Sequence, residues 1–246
     1  PLLNLAEAGS DVINGGAGND FIFGDVLYTD KLAIDQGLGT PNGSGWEVFE
    51  RLENGEGLDA SWDRSDTLNY IRTHAAEMGR ETLDSNGDHR AGGHDTLNGG
   101  SGKDVIFGQE GNDTIDGGLG SDLISGGSGN DLLTGGDGSD LFVWFEGESG
   151  EDTVTDFNFA NAADGGDILN LADLLEGETG TAANLENYLN ISLSGDDTVI
   201  AIDANGDGSG TDQTIVLQDV DLVTGAGSQQ DIIQSLISNG NLVTDT

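Results

Sequence analysis

Cysteine is absent from this chain of 246 residues, proline occurs twice, and only seven residues are Lys or Arg. Without cysteine the chain has no disulfide framework and no thiolate chemistry. No apolar run is long enough to span a membrane. The seven basic residues face 46 Asp and Glu, the formal net charge is −39, and no basic residue follows Lys103. This charge disfavours nucleic acid and anionic membrane surfaces as partners, and a compact fold needs cations to screen the carboxylates.

Glycine, by contrast, is abundant and periodic. The pattern Gly-Gly-x-Gly-x-Asp-x-apolar-x runs five times without a gap from GGSGKDVIF (99–107) to GGDGSDLFV (135–143), with Gln109 replacing one glycine. A complete earlier copy, GGAGNDFIF, occupies residues 15–23, and AEAGSDVIN (6–14) is a partial copy. This register indicates a repeat architecture and disfavours the alternative, a flexible Gly/Asp linker without metal.

Each half of the nonapeptide has a physical role. Glycine permits the positive φ of a sharp turn, and the Asp at position 6 together with turn carbonyls is an all-oxygen ligand set that suits Ca²⁺. The remaining residues form a short strand whose apolar position 8 points inward. One repeat cannot bury that side chain alone, but stacked repeats can. The predicted core residues are Ile106, Ile115, Ile124, Leu133 and Phe142.

The repeat resembles the calcium-binding nonapeptide of RTX proteins. The resemblance implies an all-β fold dominated by a right-handed parallel β-roll, in which two nonapeptides make one coil and each Ca²⁺ lies between turn n and turn n+2. Turn n would supply the carbonyls of positions 2 and 4 and its Asp. Turn n+2 would supply the carbonyls of positions 1 and 3 and its Asp. About five or more ions are expected in the roll.

The resemblance also implies ligand sets within the uninterrupted repeats. One set is Gly100, Gly102, Asp104, Gly117, Leu119 and Asp122. The next set is Gln109, Gly111, Asp113, Gly126, Ser128 and Asp131. A third set is Gly118, Gly120, Asp122, Gly135, Asp137 and Asp140. Gln109 is expected to be tolerated, because a carbonyl ligand does not require glycine.

The period is interrupted once, between Gly24-Asp25 and Gly93, and it resumes in the middle of a turn. The simplest interpretation is one continuous roll, residues 1–24 and 93–143, with residues 25–92 inserted into that turn. Two separate rolls that flank a domain are the alternative. Continuity implies one ion held by Gly16, Gly18, Asp20, Gly99, Ser101 and Asp104. It implies another held by Gly93, Asp95, Gly108, Glu110 and Asp113, and it makes Asp11 and Asp25 further candidate ligands.

The insertion differs in composition, since it holds six of the seven basic residues and the sequence's Trp46 and Trp62. Residues 65–78 predict an amphipathic helix with Ser65 as its N-cap, and residues 46–52 predict a shorter helix. The apolar face of the longer helix would consist of Leu68, Ile71, Ala75 and Met78. We expect the insertion to pack against the roll, and a ligand site under Trp46 or Trp62 is the alternative. His94 stands at the variable position 5, where it is expected to be merely tolerated.

Residues 144–246 are expected to form a C-terminal β-rich cap and secretion-signal module, with a strand over 153–159 and a final short helix over 231–238. Its acidic residues suggest two further sites. Asp152, Asp156 and Asp167 are candidate ligands of an ion at the end of the roll, with solvated loop acids as the alternative. Asp203, Asn205, Asp207 and Asp212 are candidates for a hairpin Ca²⁺ site. Thr214 stands where an EF-hand has Glu and no helices flank this loop, so an Asx-rich turn is the alternative.

The order of these segments, with FGD…GSGWEVFERLE…RAGGHDTL in the insertion, resembles the C-terminal region of LapA-like giant biofilm adhesins. The resemblance implies a non-enzymatic, monomeric protein of the cell surface or extracellular space that does not insert into membranes. It implies export by a type I apparatus (ABC transporter, membrane-fusion protein and outer-membrane channel), followed by folding on calcium. One alternative is the C-terminal module of a secreted RTX enzyme, although the sequence has no HExxH or GxSxG motif. Another is a module that binds glycan, peptide or ice directly.

Overall fold

The computed structural model describes residues 10–25, 30–38, 46–79, 92–208 and 210–244. These residues divide into two compact units, one within residues 25–92 and the other formed by residues 10–24 together with 93–244. The first repeat, predicted from residue 6, lies partly outside the described residues. None of the helices in the described ranges is long and apolar enough to cross a membrane.

The larger unit is built mainly of short strands. They are β1 Val12–Ala17, β2 Phe21–Phe23, β3 Thr96–Gly102, β4 Val105–Glu110, β5 Thr114–Gly120, β6 Leu123–Ser128, β7 Leu132–Asp137, β8 Leu141–Val143, β9 Gly150–Val154, β10 Ile168–Asn170, β11 Leu189–Ser194, β12 Asp197–Ile202, β13 Gln213–Leu217 and β14 Leu242–Val243. The helices within the described residues are α1 Asp30–Asp35, α2 Trp46–Glu53, α3 Arg64–Gly79, α4 Ala182–Leu185 and α5 Gln229–Asn239, and Ala162–Asp164 form a 3₁₀ turn.

The strands of the repeats alternate between two parallel sheets, as a β-roll requires. One sheet contains β1, β3, β5, β7 and β9 in that order, and the other contains β2, β4, β6, β8 and β10. Thr96 lies opposite Thr114 and Thr114 opposite Leu132, so that neighbours in a sheet are two repeats apart. Val12 lies opposite Thr96 and Phe21 opposite Val105, so the strands on the two sides of the insertion pair directly with each other.

The core of the roll is the column of position-8 side chains between the two sheets. The predicted residues Ile106, Ile115, Ile124, Leu133 and Phe142 are all fully buried, which confirms the inward direction of that position. The column continues with Leu97 before them and with Val154 and Leu169 after them. Because each coil exposes this column at its open ends, burial depends on stacking neighbours.

Both sheets continue beyond the last nonapeptide. Strand β13 pairs in parallel with β9 and is followed in the sheet by antiparallel β12 and β11, while β14 pairs in parallel with β10. The predicted strand over residues 153–159 is wrong at its end, because it stops at Val154 and the Asp156 side chain then binds the amides of Gly135 and Gly136. The final helix is confirmed and begins earlier than predicted, at Gln229 after the N-cap Ser228.

The smaller unit contains helices α1, α2 and α3, and α2 is confirmed one residue longer than predicted. The N-cap of α3 is Asp63 and not Ser65, since Asp63 Oδ1 accepts a hydrogen bond from the Ser65 amide at 2.7 Å. Ile71 and Met78 are buried as predicted, but Leu68 is 44% exposed. The helix is kinked at His74 (φ −127°, ψ 16°), so residues on its two sides do not share one straight face. The side chain of Ala75 lies outside the described ones.

Trp62 belongs to a packed aromatic cluster in this unit. Its indole N–H donates to Thr67 Oγ1 at 2.9 Å, and its ring centroid lies 6.0 Å from that of Tyr70. These contacts favour a packing role for Trp62 over a ligand site. The side chain of Trp46 lies outside the described ones, and the packing of the insertion against the roll stays a prediction.

Candidate calcium sites

A ladder of carboxylates follows each sheet of the roll, one rung per turn. The amide of Asp104 donates to Oδ1 of Asp122 at 2.8 Å, and the amide of Asp122 donates to Oδ1 of Asp140 at 2.9 Å. The same bond joins Asp11 to Asp95, Asp20 to Asp104, Asp95 to Asp113 and Asp113 to Asp131. The main chain of the preceding turn in the same sheet thus orients the carboxylates of Asp95, Asp104, Asp113, Asp122, Asp131 and Asp140.

The second oxygen of these carboxylates is in a different situation. Oδ2 is buried and has no hydrogen-bond partner within the described residues in Asp20, Asp95, Asp104, Asp122, Asp131 and Asp140. A buried charged oxygen without a partner is costly, because it has lost its hydration and gained nothing in return. These atoms therefore require a cation or a proton.

The position-1 glycines show what these oxygens face. A Cβ on Gly99 would lie 2.6 Å from Asp104 Oδ2 and 2.6 Å from the carbonyl oxygen of Gly117. A Cβ on Gly117 would lie 2.6 Å from Asp122 Oδ2 and 2.7 Å from the carbonyl oxygen of Gly135. A Cβ at three other position-1 glycines would also meet an Asp Oδ2 and a carbonyl oxygen. These are Asp20 and Gly99 for Gly15, Asp95 and Gly108 for Gly24, and Asp113 and Gly126 for Gly108. The fold thus brings together the Asp of turn n and the position-1 carbonyl of turn n+2.

This donor set fits Ca²⁺, which prefers carboxylate and carbonyl oxygens. No group of three or more His, Cys, Asp or Glu side chains converges on one point within the described residues. That observation agrees with sites in which two carboxylates are completed by main-chain carbonyls. The individual ligands stay a prediction, and the orphaned Oδ2 atoms are the evidence that favours them.

Burial makes these carboxyls difficult to ionise without a counter-charge. Burial and the neighbouring Asp152 raise the pKa of Asp131 to about 9. Burial, together with the charge of Asp167, raises the pKa of Asp140 to about 6. Burial also raises the pKa of Asp95, Asp104 and Asp122 above its ordinary value.

Positions 2, 3 and 4 form the turns that would supply the carbonyl ligands. Gly100 and Gly102 have φ of 99° and 145°, which L side chains rarely adopt. Gln109 also has a positive φ, 79°, so the repeat that lacks a glycine at position 2 follows the same backbone path. The same turns contain Gly16, Gly18, Gly93, Gly111, Gly118, Gly120, Ser101, Glu110 and Ser128. The side chains of Leu119 and Asp137 at position 3 are exposed, and the predicted ligands at this position are their carbonyls.

Position 5, interpreted from the sequence as variable, carries a second hydrogen-bond ladder. The amide of Asn130 donates to Asn112 Oδ1 at 2.9 Å, and the amide of Asn112 donates to His94 Nδ1 at 2.7 Å. The amide of His94 in turn donates to Ser10 Oγ at 3.1 Å. His94 is therefore an acceptor in the ladder and not merely tolerated. The recurrence of Asn and Ser at this position was the sequence signal for it.

The ladders end where the nonapeptides end. Asp152 Oδ1 accepts from the Asp131 amide at 2.9 Å, and its Oδ2 accepts from Trp144 Nε1 and Gln213 Nε2, both at 2.7 Å. Asp167 accepts from the amides of Asp140 and Asn158 through its two oxygens. Asp156 likewise accepts with both oxygens, Oδ1 from the Gly135 amide and Oδ2 from the Gly136 amide. Asp152 and Asp167 thus end the two ladders, and Asp156 binds the main chain of the last nonapeptide. The role of all three as calcium ligands stays a prediction.

The acidic hairpin loop is organised by hydrogen bonds within itself. Asp203 Oδ1 accepts from the Gly206 amide at 3.0 Å and its Oδ2 from the Gly208 amide at 2.6 Å. Asn205 accepts from the Asp207 amide, and Asp212 accepts from the Ala204 amide. These bonds are those of an Asx-rich turn, and a calcium site at this loop stays a prediction. Asp25 is buried, and its role as a ligand also stays a prediction.

Comparison with known proteins identifies the repeats. A family model of the RTX calcium-binding nonapeptide repeat (4 copies) matches residues 5–26, 91–124 and 117–143, so the chain carries RTX calcium-binding repeats. Comparison with curated proteins found no match. Among solved structures, the chain is similar to the AlgE6R2 subunit of the Azotobacter vinelandii mannuronan C5-epimerase, with 25% identity and a TM-score of 0.41 over 62% of this chain and 89% of that one. It is also similar to the AlgE6R3 subunit of the same epimerase, with 24% identity and a TM-score of 0.31 over 67% and 75% of the two chains.

Proposed function

We propose that the chain is a non-enzymatic module whose folding depends on calcium, located at the C-terminal end of a large RTX adhesin that is secreted through a type I apparatus. The observation that carries the proposal is the row of orphaned Oδ2 atoms, such as those of Asp104 and Asp122, each beside a carbonyl oxygen of turn n+2. The adhesin class is supported by the order of the sequence segments and the composition of the insertion.

Two features of each turn prepare it to bind an ion. The Oδ1 hydrogen bond from the preceding Asp amide holds the carboxylate in place, while the absence of a side chain at position 1 leaves room between Oδ2 and the facing carbonyl. Bound Ca²⁺ would neutralise the carboxylates and connect turns n and n+2. Since these groups come together only in the folded chain, binding free energy becomes folding free energy.

The same residues keep the chain unfolded when calcium is scarce. Stacked carboxylates repel one another, the net charge is −39, and glycine-rich turns lose more conformational entropy on folding than other residues do. An unfolded chain of this kind suits passage through a narrow export channel. Millimolar calcium outside the cell would then fold it and oppose its return.

The test is a titration of the whole chain with Ca²⁺, followed by far-ultraviolet circular dichroism, with reversal by EGTA and a parallel titration with Mg²⁺. We expect a cooperative transition from coil to β structure that Ca²⁺ produces at sub-millimolar to millimolar concentration and that Mg²⁺ does not. A chain that is already fully folded in EGTA would contradict the proposal.

A further inference from the structure

The roll contains one place where neighbouring turns are distant in sequence. We call the junction between residues 10–24 and residues 93–107 the seam. Across it the Asp20 amide donates to Asp104 Oδ1 at 2.7 Å, between residues 84 apart. In the next turn of the same sheet the Asp104 amide donates to Asp122 Oδ1 at 2.8 Å, between residues 18 apart.

The local geometry at the seam is that of the uninterrupted turns. The Val105 amide donates to the carbonyl of Asp20 at 2.9 Å, as the Leu123 amide does to the carbonyl of Asp104, also at 2.9 Å. A Cβ on Gly15 would lie 2.9 Å from Asp20 Oδ2 and 2.7 Å from the carbonyl oxygen of Gly99. The seam therefore presents a complete pair of facing oxygens, and only its chain connectivity differs.

Connectivity has a calculable consequence for binding. The probability that the ends of a flexible loop meet falls with loop length to the power 3/2. While residues 25–92 are unfolded, lengthening the loop from 18 to 84 residues therefore disfavours closure about tenfold. The cost falls on the step that joins the two sides, because the finished contacts are equivalent.

We propose that the seam site formed by Asp20 and Asp104 is a low-affinity calcium site, which closes in a separate and later step than the sites of the uninterrupted repeats. The proposal rests on the calcium-dependent folding proposed above. Residues 93–143 would fold first as free Ca²⁺ rises. Residues 10–24 would join the roll at about tenfold higher free Ca²⁺, and only then would both ends of the inserted segment 25–92 be held by the roll.

The experiment uses pairs of fluorescent labels on strands that are neighbours in the fold. Val12 and Thr96 lie opposite each other across the seam, and Thr114 and Leu132 lie opposite each other at the same repeat position of the same sheet. All four side chains are exposed, and the chain has no cysteine of its own. The seam variant is therefore Val12→Cys with Thr96→Cys, and the control variant is Thr114→Cys with Leu132→Cys. Each is labelled with pyrene, and excimer emission is followed against free Ca²⁺.

We expect the seam pair to reach half of its excimer signal at about tenfold higher free Ca²⁺ than the control pair. Equal midpoints would overturn the proposal while leaving calcium-dependent folding intact. If neither pair responds to millimolar Ca²⁺, calcium-dependent folding itself fails. Hydrogen exchange of the unlabelled chain, comparing residues 10–24 with residues 114–137, gives the same comparison without labels.

A deletion isolates loop length as the cause. Removing residues 27–92 leaves Asp20 and Asp104 18 residues apart, which is the spacing of the uninterrupted turns. In this variant the midpoint of the Val12 and Thr96 pair should fall to that of the control pair. A midpoint that remains high after the deletion would overturn the loop-closure explanation.

Discussion

Glycine at position 1 of the repeat is required for space and not for its backbone conformation. The φ of Gly99 is not positive, so an L side chain there would meet no backbone strain. The space that its Cβ would occupy lies 2.6 Å from both Asp104 Oδ2 and the Gly117 carbonyl. A methyl group would push apart the two oxygens that the proposed ion joins.

Gly99→Ala should therefore weaken calcium binding without unfolding the other turns. An overpacking cost of about 1–2 kcal/mol corresponds to about a tenfold rise in the calcium midpoint. Gly210→Ala is the matched control, because nothing lies within 4 Å of a Cβ at Gly210 and its φ is not positive. The measurement is the calcium titration by circular dichroism. Identical midpoints for the two variants would show that the space beside Gly99 is not part of the site.

Individual residues also show which sequence signals are reliable. Positions 6 and 8 were predicted from their chemistry, since an inward apolar side chain and a hard oxygen ligand leave few alternatives. The acceptor role of His94 was missed because His differs from the Asn and Ser that recur at position 5, although its ring nitrogen accepts a hydrogen bond as their oxygens do. Leu68 was misplaced because the buried face of the helix passes through the polar residue before it: Thr67 is fully buried, and its Oγ1 accepts a hydrogen bond from the Trp62 indole.

Among the elements, β9 connects the roll to the C-terminal strands. Asp152 in β9 continues the carboxylate ladder but binds Trp144 and Gln213 with the oxygen that in the repeats has no partner. It is fully buried, as are Trp144 and Gln213. Asp152 Oδ2 thus accepts two hydrogen bonds where the corresponding Oδ2 atoms of the repeats accept none, so protein donors satisfy the last carboxylate of this ladder.

Asp152→Asn should lower the stability of the calcium-saturated chain. The N–H₂ group of Asn would face at least one of the three donors, the Asp131 amide, Trp144 and Gln213. The loss of charge-assisted hydrogen bonds should lower the free energy of unfolding by about 1–3 kcal/mol. Glu151→Gln removes the same charge from the neighbouring, exposed residue of the same strand and is the control. Urea unfolding in saturating Ca²⁺, followed by circular dichroism, measures the difference. Equal free energies of unfolding for the two variants would show that the cluster does not stabilise the end of the roll.

For the whole chain, protons and calcium compete for the same buried carboxylates. The pKa of Asp131 in the fold is raised to about 9 and that of Asp140 to about 6, against an ordinary value of 3.8. A raised pKa means that the folded state holds the proton more tightly than the unfolded state. The resulting stabilisation of the ion-free fold is complete below the ordinary pKa and is lost as the pH rises through these two values.

Lowering the pH from about 8 to about 5 should therefore increase the β structure of the ion-free chain, and it should raise the calcium midpoint because Ca²⁺ must displace protons. Circular dichroism in calcium-depleted buffer, followed by calcium titration at each pH, measures both effects. Added NaCl at pH 8 is the control for general charge screening, and it should produce a smaller gain. Loss of β structure on acidification would contradict this linkage.

The sequence alone determined the period and the inward position, because a nonapeptide repeat can bury its apolar residue only by stacking, and it predicts an all-oxygen ligand set for a hard cation. The tertiary structure decided where the ladders end, and it pairs the strands on the two sides of the insertion, as the interpretation of one continuous roll expects. Asp152 and Asp104 are the same residue type, and only the approach of Trp144 and Gln213 makes the first a terminator. Likewise, Asp20 reaches Asp104 across 84 residues, a contact that depends on stacking between turns and therefore on the complete fold.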